Sequence, residues 1–545
     1  MAHSHLTPKI SPTAPAERRE VLERAFTALR EEFGLGNGYP QDAVEDAERA
    51  IAALTLPAED LTGIGFVTID PPTSTDLDQA LHIARDGEGY RVRYAIADVP
   101  AFVAPGGPLD AETRRRGQTL YTVDGKVPLH PEQISDSAGS LLEDQVRGAF
   151  VWDFRLDAAG EVAAVGLVRA TVRSRAKMAY AQAQEQIEAG TAVEPLLLLA
   201  EVGRLRIALE RERGGASLNL PDQEIVTADG GGYRIEAAPP LPVEEWNAQI
   251  SLMTGMAAAQ IMLEGRLGIL RTMPAPDERS LRHFRRQTHA LGRPWDGEIP
   301  YGEYLRTLDA SQPRQLAILH AAAALFRGAG YTPFDGELPQ ETLQAALGAP
   351  YAHTTAPLRR LVDRFVLVIC HALANRHEVP GWAREALPAL PALMASSDQL
   401  AGRVERASLD LVEAALLAHR VGHEFDAVVI SGSRPAAGEG NGGERRPSPL
   451  DRIASSQNGG RTQDGGARPA ADGDHPSAGD ADEGQGSGAR EGAPARGERP
   501  PFGTVQLADP PVTARCDGEM ESGTTVRVRL VAADVMSRSV RFELA

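Results

Sequence analysis

Ile69-Asp70-Pro71-Pro72-Thr73-Ser74-Thr75-Asp76-Leu77-Asp78-Gln79-Ala80 places three carboxylates within nine residues. The apolar run just before it, Gly65-Phe-Val-Thr-Ile69, reads as a core strand. Pro71-Pro72 cannot continue a ladder and forces a turn. In extended backbone Asp76 and Asp78 lie on one side, and the turn lets Asp70 come back towards them. Three carboxylates that close raise one another's pKa. A divalent cation relieves the repulsion, and hard oxygen donors suit Mg2+ or Mn2+. An EF-hand loop starting at Asp70 is excluded, because Thr75 stands at the turn glycine and Leu81 at the bidentate glutamate. Read alone, the stretch suits a metal site and an acidic surface loop equally well.

Towards the N-terminus, Val21, Leu22, Phe26, Leu29 and Phe33 recur at helical spacing and predict a helix over 15–33, with a second over 42–54. Residues 1–13 read as frayed. Towards the C-terminus, Arg91–Ala97 predicts a core strand. Residues 149–155 and 161–168 predict a hairpin across Asp157-Ala-Ala-Gly160. Helical patterns follow over 175–213, 243–268, 278–291, 313–328, 357–377 and 397–421. Met253, Met256 and Met262 read as core packing. Mixed strands followed by many helices imply an α+β core.

The segment 431–500 holds 16 Gly, 7 Pro and only two large aliphatic residues, Leu450 and Ile453. It cannot bury enough apolar surface to offset its ordering entropy, so a disordered insert is expected over 432–500. Strand patterns flank it: 425–430 before, then 503–507, 524–530 and 539–544. They predict one small C-terminal β-barrel, 424–545, split by the insert. The remaining chain divides into a helical region, 1–57, and a larger domain, 58–423.

The 545 residues carry a net charge of −19, so any polyanion must be bound through a local basic channel. Among 56 basic residues only Lys9, Lys126 and Lys177 are lysines. No apolar run reaches the ~18 residues of a membrane span. Residues 1–10 lack the apolar core of a secretory signal. Cys370 and Cys516 stand apart, which excludes a disulfide scaffold and a structural zinc site and suits a reducing cytoplasm. No GxxxxGK[ST] loop occurs, so no nucleotide cofactor is expected.

Tyr351-Ala352-His353-Thr354-Thr355-Ala356-Pro357-Leu358-Arg359-Arg360-Leu361-Val362-Asp363 is the second informative stretch. Thr354 or Thr355 can cap a helix with Pro357 in its first turn. Arg359 and Arg360 then lie at the helix start, with Asp363 holding Arg359 by an i,i+4 pair. Two guanidiniums beside free N–H groups make a phosphate clamp. The plainer alternative is a helix-surface pair worth about 0.3–0.5 kcal/mol.

With these residues the chain resembles the RNB catalytic domain of the RNase II/RNase R family of exoribonucleases. The family pattern runs Ile-Asp, a short spacer, Asp-x-Asp-Asp-Ala, and later Tyr-x-His-Phe-Thr-Ser-Pro-Ile-Arg-Arg-Tyr-x-Asp. Tyr351, His353, Thr355, Pro357, Arg359, Arg360 and Asp363 match the later part. Between the two, Arg116-Gly-Gln-Thr-Leu-Tyr121, Val127-Pro-Leu-His-Pro131 and Arg173-Ser-Arg-Ala-Lys-Met-Ala-Tyr180 are similar to further family segments. The resemblance covers residues 60–430 and implies an RNB-type mixed sheet with surrounding helices. The C-terminal barrel would be the family's OB-fold module for RNA binding.

The resemblance implies 3′→5′ hydrolysis of single-stranded RNA to nucleoside 5′-monophosphates, with no membrane partner; it leaves protein partners unknown. Asp70, Asp76, Asp78 and Gln79 would form the metal site for Mg2+, or Mn2+. Asp78, Arg359 and Arg360 would act on the scissile phosphate. Tyr121 would stack on a base, Arg116 and His353 would support RNA binding, and Glu405 would lie near the RNA 3′ end. Four departures stand out: Gln79 replaces the fourth aspartate, Ile250-Ser-Leu-Met253 replaces a Glu-Glu-x-Met helix, Thr354 replaces a Phe, and Leu361 replaces a Tyr. No cold-shock pair is visible at the N-terminus, which reads as helical. The competing expectation is an RNA-binding protein on an RNB scaffold with weak or lost catalysis.

Overall fold

Phe66–Ile69 forms strand β1 with all four residues buried. Its place in the protein is seen in a computed structural model that describes residues 16–36, 38–218, 222–227, 233–238, 240–432, 501–507, 509–510 and 512–545. The expectations for 1–13 and for 433–500 lie outside the described residues. β1 pairs antiparallel with β2 (Gln79–Asp86), and β2 with β3 (Gly89–Ala97). After two short strands, β4 (Leu120–Thr122) and β5 (Gly125–Val127), come the long strands β6 (Val146–Leu156) and β7 (Val162–Met178). β6 pairs with β3 on one side and with β7 on the other, and the last residues of β7 pair parallel with β1. The ladder of these five strands therefore returns on itself.

The predicted hairpin is present, but β7 continues through 175–178, where a helix was expected. Phe66–Ile69 supplies the partner that draws these residues into the sheet. Along β3, Tyr94 and Ile96 face one core while Ala95 and Ala97 face another. Both faces are covered, which explains the continuous apolar run.

Among the described residues twelve α-helices surround the sheet and link it to the barrel. They are α1 (Ala16–Glu32), α2 (Gln41–Ala52), α3 (Pro108–Arg116), α4 (Tyr180–Glu188), α5 (Glu194–Glu212) and α6 (Pro242–Gly265). Then follow α7 (Glu278–Ala290), α8 (Tyr301–Arg306), α9 (Pro313–Ala322), α10 (Leu361–Ala374), α11 (Gly381–Ala386) and α12 (Leu390–Leu417). The larger core packs Trp152 and Phe154 against Ile250 and Met253 of α6 and Phe365 of α10. Met253 and Met262 are fully buried there, as packing requires. No helix among the described residues is long and apolar enough to cross a membrane.

Five strands form the closed C-terminal barrel: β8 (Glu424–Ser431), β9 (Phe502–Leu507), β10 (Thr513–Asp517), β11 (Thr525–Asp534) and β12 (Ser539–Leu544), in the order β8-β9-β10-β12-β11. Only β10 was absent from the sequence reading. The barrel core is continuous with α1 and α12, through Leu22, Phe26, Val404 and Leu411.

α6 crosses the arginine stretch at Gly255. The Gly255 carbonyl accepts from Ala352 N–H at 3.0 Å. A Cβ at Gly255 would lie 2.1 Å from the Tyr351 ring and 2.6 Å from the Ala352 carbonyl. Gly255→Ala is therefore expected to destabilise the fold by about 1–3 kcal/mol through overpacking. Denaturant unfolding checks this, and an unchanged midpoint would contradict the close approach.

Candidate active site

The acidic loop hangs from the end of β1. Asp70 N–H still bonds to the sheet at Met178 O, 3.1 Å, and the chain then turns at Pro71-Pro72. Leu77 is wholly buried between Asp76 and Asp78. Its N–H donates to Ser140 Oγ at 2.9 Å, and Ser140 Oγ donates to Thr75 O at 2.7 Å. Leu77 shares its core with Leu358, also buried, together with Ile134 and Leu141. Burying each leucine is worth about 1.5–3 kcal/mol. This apolar pair brings two loops 280 positions apart to one place, and their polar neighbours meet there.

Asp78 is 4% exposed. Its Oδ1 accepts from Leu358 N–H at 2.7 Å, and its Oδ2 lies 3.7 Å from Arg359 Nε. Burial pushes its carboxyl well above the usual range, against the pull of Arg359 and the Leu358 N–H. Burial and then the neighbouring Asp76 push Asp70 up to about 7, while Arg359 and Lys177 act the other way. Lys126 Nζ bridges Asp76 Oδ1 at 3.1 Å and Asp136 Oδ1 at 2.7 Å. Lys177 Nζ donates to Pro72 O at 3.0 Å and to Ser74 O. Two of the three lysines of the chain thus attend the acidic loop.

The arginine stretch differs from the expected helix. α10 begins only at Leu361. Thr119 N–H donates to Arg359 O at 3.0 Å and Leu361 N–H to Gly117 O at 2.9 Å, so residues 359–361 follow 117–119 as a short bridge. The N–H of Leu358 serves Asp78 rather than an anion. Asp363 holds Arg360, not Arg359: Arg360 Nε and Nη2 reach it at 3.0 and 2.9 Å. Asp363 also accepts from Ala356 N–H at 2.7 Å. The pair of guanidiniums is therefore divided. Arg359 faces the acids with its side chain 27% exposed, while Arg360 is locked into its own loop.

Residues 58–376 match the RNB domain, and residues 492–545 match the RNase II-type exonuclease C-terminal S1 domain. The chain belongs to the RNB-domain family. Ribonuclease R of Aquifex aeolicus (strain VF5) is 25% identical over 435 residues, covering 74% of this chain and 60% of that relative. Exoribonuclease 2 of Edwardsiella piscicida is 30% identical over 223 residues, covering 39% of this chain and 34% of the relative. The exosome complex exonuclease RRP44 homolog A of Arabidopsis thaliana covers only 36% of its own length at 26% identity over 352 residues, 59% of this chain. The chain thus spans between about a third and three-fifths of these relatives. Mycoplasma genitalium RNase R, solved in complex with ribose methylated single-stranded RNA, has the same fold. Its TM-score is 0.74 at 16% identity, covering 96% of this chain and 78% of that one.

Within this RNB domain the remaining expected residues are placed as follows. Tyr121, on β4, stands opposite Lys126 in the β4–β5 register, and its phenol lies within the field of Asp76, Asp78 and Arg359. His353 Nδ1 meets Tyr331 OH at 2.7 Å, and its ring lies edge-on to Tyr351. Gln79 Nε2 donates to Thr355 O at 2.5 Å, tying the fourth position of the acidic motif to the arginine stretch. Arg116 points elsewhere. It bonds Glu112 at 2.8 Å, Pro128 O at 2.9 Å and Gly38 O at 2.5 Å, and lies over the Tyr39 ring. Glu405 is half-buried on α12, the helix that packs on β4.

Sequence reading missed Lys126, Lys177 and His130. His130 is buried, and burial holds its imidazole neutral, down to about 4. Its Nδ1 meets Leu358 O at 3.0 Å; a carbonyl only accepts, so Nδ1 carries the proton. Among the described residues no three acidic, histidine or cysteine side chains are drawn together as a ready metal cage. In this structure Lys126 contacts Asp76 and Arg359 lies beside Asp78, while Lys177 bonds to carbonyls of the loop.

Proposed function

We propose that this RNB-domain protein is a metal-dependent 3′→5′ exoribonuclease that hydrolyses single-stranded RNA to nucleoside 5′-monophosphates. The observation that supports it is the convergence of the Asp70–Asp78 loop and Arg359 on the Leu77–Leu358 core. The relatives named Exoribonuclease 2 and Ribonuclease R favour the same reaction.

The donor set fits a hard divalent cation in its chemistry. Asp78 is buried and Asp70 half-buried, both carboxyls are pushed upward, and like charges face one another. Such a group is short of positive charge. Asp70, Asp76 and Asp78 would hold Mg2+ or Mn2+, with Gln79 at the fourth position as a neutral neighbour. When bound, the cation supplies charge neutralisation at the phosphate and activation of water. Arg359 is long, partly exposed and only loosely held at 3.7 Å, so it can turn to the phosphate as negative charge develops. Arg360 positions the loop through Asp363. Tyr121 offers a stacking face to a terminal base, an interaction typically worth ~1–3 kcal/mol. His353, held by Tyr331, orients the approach to Arg360.

One observation favours a second reading, RNA binding with catalysis lost. Gln79 removes a negative charge from the motif and its amide is committed to Thr355 O, while Lys126 already contacts Asp76. Incubation of 5′-labelled single-stranded RNA with Mg2+, Mn2+ or chelator separates the two. The first reading expects stepwise shortening from the 3′ end that stops on chelation. Tight binding with no shortening under either ion would leave only the second.

A further inference from the structure

Residues 278–293, ERSLRHFRRQTHALGR, carry five arginines and two histidines against one carboxylate, in a chain of net charge −19. Helix α7 and its C-terminal turn sort these residues by face. Leu281, Phe284 and Leu291 pack into a core with Trp295, Tyr304 and Ile318. Arg279, Arg282 and Arg286 repeat at spacings of three and four on the opposite side, and all are exposed. Arg293 extends the stripe beyond the helix end and is exposed as well. Arg285 belongs to the other side, with its guanidinium over the Trp295 ring at 5.0 Å.

These guanidiniums have little counter-charge: the N-cap carboxylate Asp277 lies in the field of Arg279 and Arg282 but pairs with neither. Arg364 and Arg360 are satisfied by Asp110 and Asp363. Among the described residues Arg279, Arg286 and Arg293 form no ion pair. Arg282 reaches only Glu278, at 3.6 Å, with both side chains exposed. Such an exposed pair is worth about 0.3–0.5 kcal/mol and yields readily to a better anion.

The stripe leads to the barrel. Val428 of β8 packs in the same core as Phe284 and Leu291, and Gly523, just before β11, abuts the Ala290 carbonyl so closely that a Cβ would not fit. Between them opens a cleft of about 580 Å³. Arg293, Gln312, Arg314 and Gln315 line its helical side, and Asp426 and Thr525 its barrel side. Arg314 also forms no ion pair among the described residues. Leu291, Pro313, Ala427 and Val428 line it too, so the cleft sets guanidinium and amide donors among apolar residues and joins the cationic stripe at Arg293. His283, exposed between Arg282 and Arg286, brings an aromatic ring to the outer side; guanidiniums dominate the stripe, so its chemistry is chiefly that of a phosphodiester backbone.

We propose that the outer face of α7 and the α9–barrel cleft form a sequence-independent track for the backbone of single-stranded RNA, separate from the acidic site. It holds the upstream part of a long substrate. This inference deepens the exoribonuclease reading and rests on it for the nature of the polyanion.

The test uses the full chain with Arg279, Arg282 and Arg286 all changed to Glu, and a milder version with all three changed to Gln. Affinity for a long oligonucleotide (roughly 30 nucleotides) and a short one (roughly 6) is measured in chelator over a range of salt. The Glu variant is expected to lose at least about tenfold in affinity for the long RNA, and its salt slope should shrink by about 2, near 0.7 per lost phosphate contact. The Gln variant should fall between it and the parent. Affinity for the short RNA, and its hydrolysis in Mg2+ or Mn2+, should not change, since the track is proposed to hold only the upstream part of a long chain. Long-RNA affinity and slope equal to the parent's in both variants would overturn the track. A parent that binds long RNA with the expected slope but cleaves neither length sinks the exoribonuclease reading and keeps the track.

Discussion

Asp78→Asn stops RNA shortening and leaves RNA binding and the fold intact. The side chain sits where a carboxylate is costly. It is 4% exposed, accepts one backbone N–H at 2.7 Å and has one guanidinium at 3.7 Å. An amide of the same shape keeps the Oδ1 contact to Leu358 N–H and removes the charge. If the charge serves only the fold, its removal weakens the fold; if it serves the reaction, activity falls and stability does not. Burial raises the Asp78 carboxyl well above its ordinary value. A raised carboxyl is a liability that grows as pH climbs above its unfolded value. The Asn variant lacks that liability, so at pH 8 its thermal midpoint should equal or exceed the parent's. Turnover should fall at least about a hundredfold, in line with the loss of a single electrostatic partner of a transferring phosphate. The check is a 5′-labelled RNA ladder beside filter binding and thermal unfolding. A variant that shortens RNA normally, or one that loses activity only because it melts early, would overturn the role given to Asp78.

The parts of this architecture that were legible were those written in local pattern. β1 and β3 show as short β-branched and aromatic runs, and the acids follow β1 directly, so the loop could be placed before any contact was known. The division of labour between Arg359 and Arg360 could not. Adjacent arginines look alike in sequence, and which one faces the acids depends on 359–361 bonding to 117–119, a contact with residues about 240 positions upstream. Residues 175–178 were misread for the same reason: their partner, β1, lies about a hundred positions away. Arg116 fits a motif on paper, yet Glu112, one turn earlier, pulls it inward. Lys126 and Lys177 belong to no pattern that periodicity detects. Composition did hold a signal, since a chain that uses arginine nearly everywhere keeps lysine in few places. A lysine's compact ammonium can bridge Asp76 and Asp136 at one point, where a guanidinium would spread its donors in a plane.

Glu413→Gln is expected to flatten the dependence of stability on pH. The side chain lies on α12, 7% exposed, at the seam between that helix and the barrel. Burial, and then Asp410 one turn earlier, push its carboxyl up to about 8, and a hydrogen bond from the Thr513 backbone offsets only part of this. Burial raises Asp410 to about 6, against Arg538 and Arg406. The sign follows from proton uptake. Between the ordinary carboxyl value of 4.5 and about 8, the folded chain keeps a proton on Glu413 that the unfolded chain has released. Stability therefore falls as pH rises through that window and levels off above it. Gln carries no proton to lose and fits the same space. At pH 5 parent and variant should unfold at the same denaturant concentration. At pH 9 the variant should be more stable, on the order of a few kcal/mol, since each pKa unit corresponds to about 1.36 kcal/mol. A shallow slope should persist in the variant between about pH 4 and 6, because Asp410 keeps its own raised carboxyl. Parallel pH profiles for parent and variant would show that Glu413 is solvated at the seam. A variant that is less stable at every pH would show instead that its carboxylate is held by a partner worth more than its burial costs.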